Sequence, residues 1–188
     1  MKKIYGVLCV FIVLFSTAVS VNASEQKNVE KEDSMSASAE WVKTTGDKTI
    51  TYLLTATETG SEQDKISLMI YTDGPEYFAG KSGQVQVKDS AFKIDAKLNS
   101  ASLSQVKVKV SDSCTGKEEI ITVSANWKGK GEFTKGNYQT FINDGKITKS
   151  SGTLLSREAI ATGSINGKKL GTSYFAGMEK LSGKTEKQ

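Results

Sequence analysis

The sequence has no histidine, a single proline and only two cysteines in 188 residues. Each scarcity excludes something. Without histidine there is no Ser-His-Asp or Cys-His nucleophile system, no His-ligated metal and no imidazole switch near neutral pH. With Pro75 as the only proline, the chain must turn on Gly, Asn and Asp, whose backbones reach the left-handed conformations that tight turns use. Of the cysteines, Cys9 lies inside an apolar run, which leaves Cys114 alone and rules out an internal disulfide in a chain that has lost that run. A sustained helical period is missing as well, since no long stretch repeats apolar residues three and four apart.

What is present begins with an export signal. Lys2 and Lys3 precede the uninterrupted apolar run from Val7 to Phe15, and Val21-Asn22-Ala23 offers small residues at the positions a signal peptidase reads. Residues 1–23 are therefore predicted to be a signal peptide and the remainder to be secreted, with no membrane span after cleavage. The alternative is an uncleaved anchor, because the wider run from Ile4 to Val21 is near the lower limit for crossing a bilayer. The formal charge of +4 falls when Lys2 and Lys3 leave. So mild a charge, spread along the chain, does not suit a nucleic-acid partner.

Residues 24–35 are highly charged and nearly devoid of apolar side chains, which predicts a disordered spacer, and residues 183–188 read as a flexible tail. Between them, 36–182 alternates apolar and polar residues with period two. Ala37, Ala39 and Trp41 share a face, as do Ile50, Tyr52, Leu54 and Ala56. Ile66, Leu68 and Ile70 follow, then Phe92, Ile94, Ala96 and Leu98, then Val106, Val108 and Val110, and then Ile121, Val123, Ala125 and Trp127. Turn signals separate these runs at Thr44–Lys48, Ser113–Gly116, Asn143-Asp144-Gly145 and Asn166-Gly167. Eight to ten short strands at such intervals predict an all-β fold, an antiparallel β-sandwich, with a β-barrel as the alternative. In general plan the chain resembles small exported bacterial β-proteins, and no motif narrows that likeness to a family.

Candidate chemistry is sparse. Gly80-Lys81-Ser82 lacks the spacing of a phosphate loop and leads into a strand rather than a helix. Asp73/Glu76 and Glu118/Glu119 are the nearest carboxylate pairs, but adjacent glutamates on a strand point to opposite faces. No run of oxygen ligands suggests calcium, and no cofactor is expected. Trp127 to Lys149 mixes lysines with Phe133, Tyr138 and Phe141, a composition that suits an anionic or sugar polymer, although Trp127 also continues a core face.

One internal echo stands out. Glu76-Tyr77-Phe78-Ala79-Gly80 recurs as Ser173-Tyr174-Phe175-Ala176-Gly177. Read functionally, Tyr77, Phe78, Tyr174 and Phe175 are aromatic loop tips presented at one end of a sandwich. The expectation is a non-enzymatic binding or interaction protein acting at the cell envelope, with a cell-wall polymer, a carbohydrate or an extracellular protein as partner. A carboxylate-dependent hydrolase and a secreted toxin or assembling β-protein are the alternatives. Cys114 adds the option of a disulfide-linked dimer.

Overall fold

The computed structural model describes residues 28–58, 63–74, 78–88, 90–143 and 147–187. The predicted signal peptide and Tyr77 lie outside these. Ten strands account for nearly all of the described chain: β1 (Asn28–Thr45), β2 (Lys48–Glu58), β3 (Gln63–Asp73), β4 (Phe78–Lys88), β5 (Phe92–Ile94), β6 (Ser100–Asp112), β7 (Glu118–Gly129), β8 (Thr134–Asn143), β9 (Ile147–Ile165) and β10 (Lys168–Lys187). The fold is all-β, antiparallel and sandwich-like, as the alternation predicts. The described turns fall at the expected signals, and Asp144-Gly145 lies outside the described residues. Gly46 and the Asn166-Gly167 pair, for instance, adopt the left-handed backbone that their hairpins require.

The strands pair in the order β10-β1-β2-β3-β4-β6-β7-β9, and β9 pairs back onto β10. The link between β4 and β6 is the slightest in this circuit, with only Lys81–Asp112 and Ser82–Ser111 in register. β5 adds to β6, and β8 takes the place of β7 along the first half of β9. The inward residues of each strand form one core, including Ala39 and Trp41, Leu54 and Ala56, Ile66 and Leu68, Val108 and Val110, and Val123 and Trp127. Burying a side chain of this size contributes about 1.5–3 kcal/mol. Across the core, Trp127 Nε1 donates to the Ser38 carbonyl of β1 at 2.9 Å, and its ring meets Phe92 edge-on with centroids 6.3 Å apart. Trp127 is thus satisfied in its one polar atom and packed on its face.

Close approaches at Gly83 and Gly163 depend on glycine. A Cβ at Gly83 in β4 would lie 2.0 Å from the Lys109 carbonyl of β6, and one at Gly163 in β9 would lie 2.7 Å from the Trp41 ring.

The termini differ from expectation. Residues 28–35, read as a spacer, are the first part of β1, and residues 183–187, read as a tail, are the end of β10. Residues 28–32 pair with 183–187, from Asn28 opposite Lys187 to Glu32 opposite Gly183, and the ladder continues to Met35 opposite Lys180. Neither segment contributes a large apolar side chain to the core. The ladder satisfies their backbone groups, and that does not require burial of an apolar face.

Gly83→Ala and Gly163→Ala should each lower stability by about 1–3 kcal/mol. Gly136→Ala in β8, where a Cβ would meet nothing within 4 Å, should leave it nearly unchanged. Urea denaturation of the three variants checks the contrast. Equal midpoints would contradict the packing described.

Candidate functional site

The register of β10 against β9 slips twice, between Lys169 and Gly171 and again after Ser173. Ser173 opposes Ala161 and Ala176 opposes Ala159, so Tyr174 and Phe175 together face the single position of Ile160. Two residues against one is a β-bulge, which turns successive side chains to the same side. Both aromatic residues project outward, Tyr174 with 72% and Phe175 with 73% of its surface exposed. Ser173 holds the distortion in place. Its buried hydroxyl donates to the Glu40 carbonyl of β1 and accepts from the Phe175 N–H at 3.1 Å.

The register places other apolar groups beside this pair on the outer face. Phe175 is level with Glu40, Leu53, Met69 and Ser82 on β1, β2, β3 and β4. The next outward row carries Val42 and Tyr71. Val42 is 54% and Met69 38% exposed, and the Tyr71 hydroxyl donates to Met69 Sδ at 3.3 Å. Together with Ile160, these residues form an apolar outer surface of a kind that marks interaction sites on soluble proteins.

Of the first copy of the echo, Glu76 and Tyr77 lie outside the described residues. Phe78 opens β4 opposite Asp73 in an unbroken ladder, and β1, β2 and β3 separate β4 from β10. Tyr174 and Phe175 therefore sit on a strand face rather than on a loop tip.

The carboxylate candidates are dispersed. Glu118 pairs with Lys109 at 2.6 Å and Glu119 with Lys81, whose ammonium the Glu119 hydrogen bond holds above its ordinary value. Asp73 is exposed at the end of β3, and Glu76 lies outside the described residues. A cleft of about 450 Å³ begins where the bulge ends, since Ala176 and Gly177 line it along with Glu132, Glu158, Glu179 and Lys130. Arg157 in its wall donates to Asn99 Oδ1 at 2.7 Å and to the Gly131 carbonyl at 3.1 Å, and stacks on Phe133 at 4.8 Å. Its guanidinium therefore braces the connection between β7 and β8. Among the described residues no group of three or more Cys, Asp or Glu side chains is placed to hold a metal ion.

Cys114 is exposed in the turn between β6 and β7. Asp112 organises that turn. Its Oδ1 accepts from the Thr115 N–H at 2.8 Å, the Thr115 hydroxyl at 3.0 Å and the Cys114 N–H at 3.0 Å. The Thr115 backbone bond foremost, and then its hydroxyl, hold the Asp112 carboxyl below the usual aspartate range.

Two outcomes follow from this geometry. Ser173→Ala, which removes both bonds at the bulge, should cost about 1–3 kcal/mol and perturb the Phe175 amide in a heteronuclear NMR spectrum. Retention of that amide's shift would show that the hydroxyl does not hold the bulge. A carboxyl depressed in the folded state stabilises its turn above the ordinary aspartate value and loses that contribution as pH falls through its own lower value. The amides of Cys114 and Thr115 should accordingly titrate with a midpoint below that of a free aspartate. Comparison with protein-family models, with curated proteins and with solved structures finds no match.

Proposed function

We propose that the chain is a small exported, non-enzymatic binding protein that engages an extracellular protein partner through the outer face around Tyr174 and Phe175. The carrying observation is the bulge, which holds two adjacent aromatic side chains in water on a strand whose backbone is fixed from both sides. Aromatic side chains supply large contact area with few rotatable bonds, and a prepositioned pair loses little entropy on binding.

The surrounding chemistry favours a protein over a polymer. Val42, Leu53 and Met69 extend the aromatic pair into an apolar patch, which suits the centre of a protein interface. A sugar-stacking platform would instead need hydrogen-bonding groups around the rings. Glu40 stands in the patch, and the adjoining cleft carries three glutamates, Glu132, Glu158 and Glu179, against Lys130 and Arg157, a balance that does not favour an anionic wall polymer. Export rests on the N-terminal signal.

The test is binding of labelled protein, beginning at Ser24, to intact producing cells before and after surface proteolysis. Binding should be protease-sensitive, and Tyr174→Ser with Phe175→Ser should weaken it by about 2–4 kcal/mol while the circular dichroism stays unchanged. Undiminished binding by the folded double variant would refute the reading. Binding that survives proteolysis and transfers to purified wall polymer would replace the protein partner with a carbohydrate one.

A further inference from the structure

Part of the sheet runs beyond the core. β8, the first half of β9, the last part of β10 and the first part of β1 pair side by side, while β2 joins β1 only from Met35 and β7 joins β9 only from Ala159. The Tyr138 ring crosses this four-stranded slab. It lies so close to Gly152 and Gly183 that a Cβ on the first would come within 2.7 Å of the ring, and one on the second would collide with the Tyr138 hydroxyl. The Ser150 and Thr185 hydroxyls share a hydrogen bond at 2.7 Å. These contacts join three of the strands into one stiff unit.

Among the described residues, no strand pairs with the outer side of β8 or with the side of residues 28–34 turned away from β10. The two edges are guarded differently. The β1 segment carries Glu30, Lys31, Glu32 and Asp33 in succession, a charge density that resists edge pairing. β8 has ten residues and one charge, Lys135, with no proline and no bulge against β9. It also exposes Phe141 and Ile142, at 59% and 52%. Successive strand residues point to opposite faces, so each face of this edge carries an apolar group.

We propose that β8 pairs antiparallel with β8 of a second copy about a two-fold axis, joining the two slabs into one continuous sheet. A two-fold pairing places the two Lys135 side chains at opposite ends of the ladder, so no like charges meet. It sets Phe141 and Ile142 against residues 134–137 of the other copy, where Gly136 leaves open space. It also avoids collision. The core lies at the Thr134 end of β8, because Thr134 pairs with Ser156 and β7 takes over β9 from Ala159. Antiparallel pairing therefore sends the two cores to opposite ends. Pairing β1 with β1 would instead oppose two acidic segments, and pairing β8 with β1 of a translated copy would bring the cores side by side.

Sedimentation equilibrium under reducing conditions, which dissolve any dimer linked through Cys114, should give twice the chain mass for the protein beginning at Ser24. Gln139→Lys puts two like charges beside the axis and should weaken the dimer at least about tenfold. Gln139 is exposed, and circular dichroism confirms that the fold persists. Gln139→Pro, which removes a backbone N–H from β8 and disfavours edge pairing, should do the same, while Tyr174→Ser with Phe175→Ser should leave the dimer intact. A wild-type protein that stays monomeric at every concentration would overturn the proposal. So would a dimer indifferent to both Gln139 variants, or one dissolved by the Tyr174 and Phe175 changes. None of these results bears on whether the outer face binds a protein.

Discussion

The antiparallel ladder between β9 and β10 is the constraint from which the other features derive. It runs from Ile165 opposite Lys168 to Thr148 opposite Lys187. At one end it completes the strand circuit around the core. In its middle the slip between Ser173 and Ala176 generates the bulge. At its far end it forms the centre of the slab that carries β8. A shorter β10 would leave β1 without a partner below Met35, and a register without the slip would alternate Tyr174 and Phe175 between faces. Neither the outer aromatic pair nor the open edge exists independently of this one pairing.

Much of the core was legible because alternation reports directly on which residues face inward. Ala37, Ala39 and Trp41, or Ile121, Val123, Ala125 and Trp127, need only period two to be placed together. The terminal strands were not legible. Their residues carry no apolar pattern, and their structure comes from backbone pairing between segments at opposite ends of the chain. The bulge was hidden for a similar reason, since Ser173 finds its acceptor at Glu40, far away in sequence. The apolar outer patch did leave a trace. Trp41-Val42, Leu53-Leu54 and Leu68-Met69 are adjacent apolar pairs within strands, and one member of each must face water. Tyr174 and Phe175 were recognisable as aromatic residues in a glycine-rich stretch. Their association with Tyr77 and Phe78 rested on likeness of text; Tyr77 lies outside the described residues, and the strand order places Phe78 on β4, apart from β10.

The absence of histidine gains weight beside the placement of the carboxylates. Glu118 and Glu119, adjacent in sequence, are each held by a different lysine, Lys109 and Lys81. What the fold offers instead is surface: an aromatic pair fixed by a buried hydroxyl, an apolar neighbourhood made by register, and a strand edge with little charge. Such features depend on backbone geometry more than on any single reactive group. A sequence without a recognisable motif can therefore still fix the geometry of its surface.

The pairing of Asn28 with Lys187 has a mechanical meaning. The first and last described strands lie side by side and antiparallel, so both chain directions leave from the same end of the slab. A pull between those two points would load the β1–β10 ladder one rung at a time, as a zipper opens, rather than in shear across all rungs together. A pull between the loops at the opposite end would not meet this weak direction. With no disulfide among the described residues to stop the opening, resistance to force in this protein depends on where the force is applied.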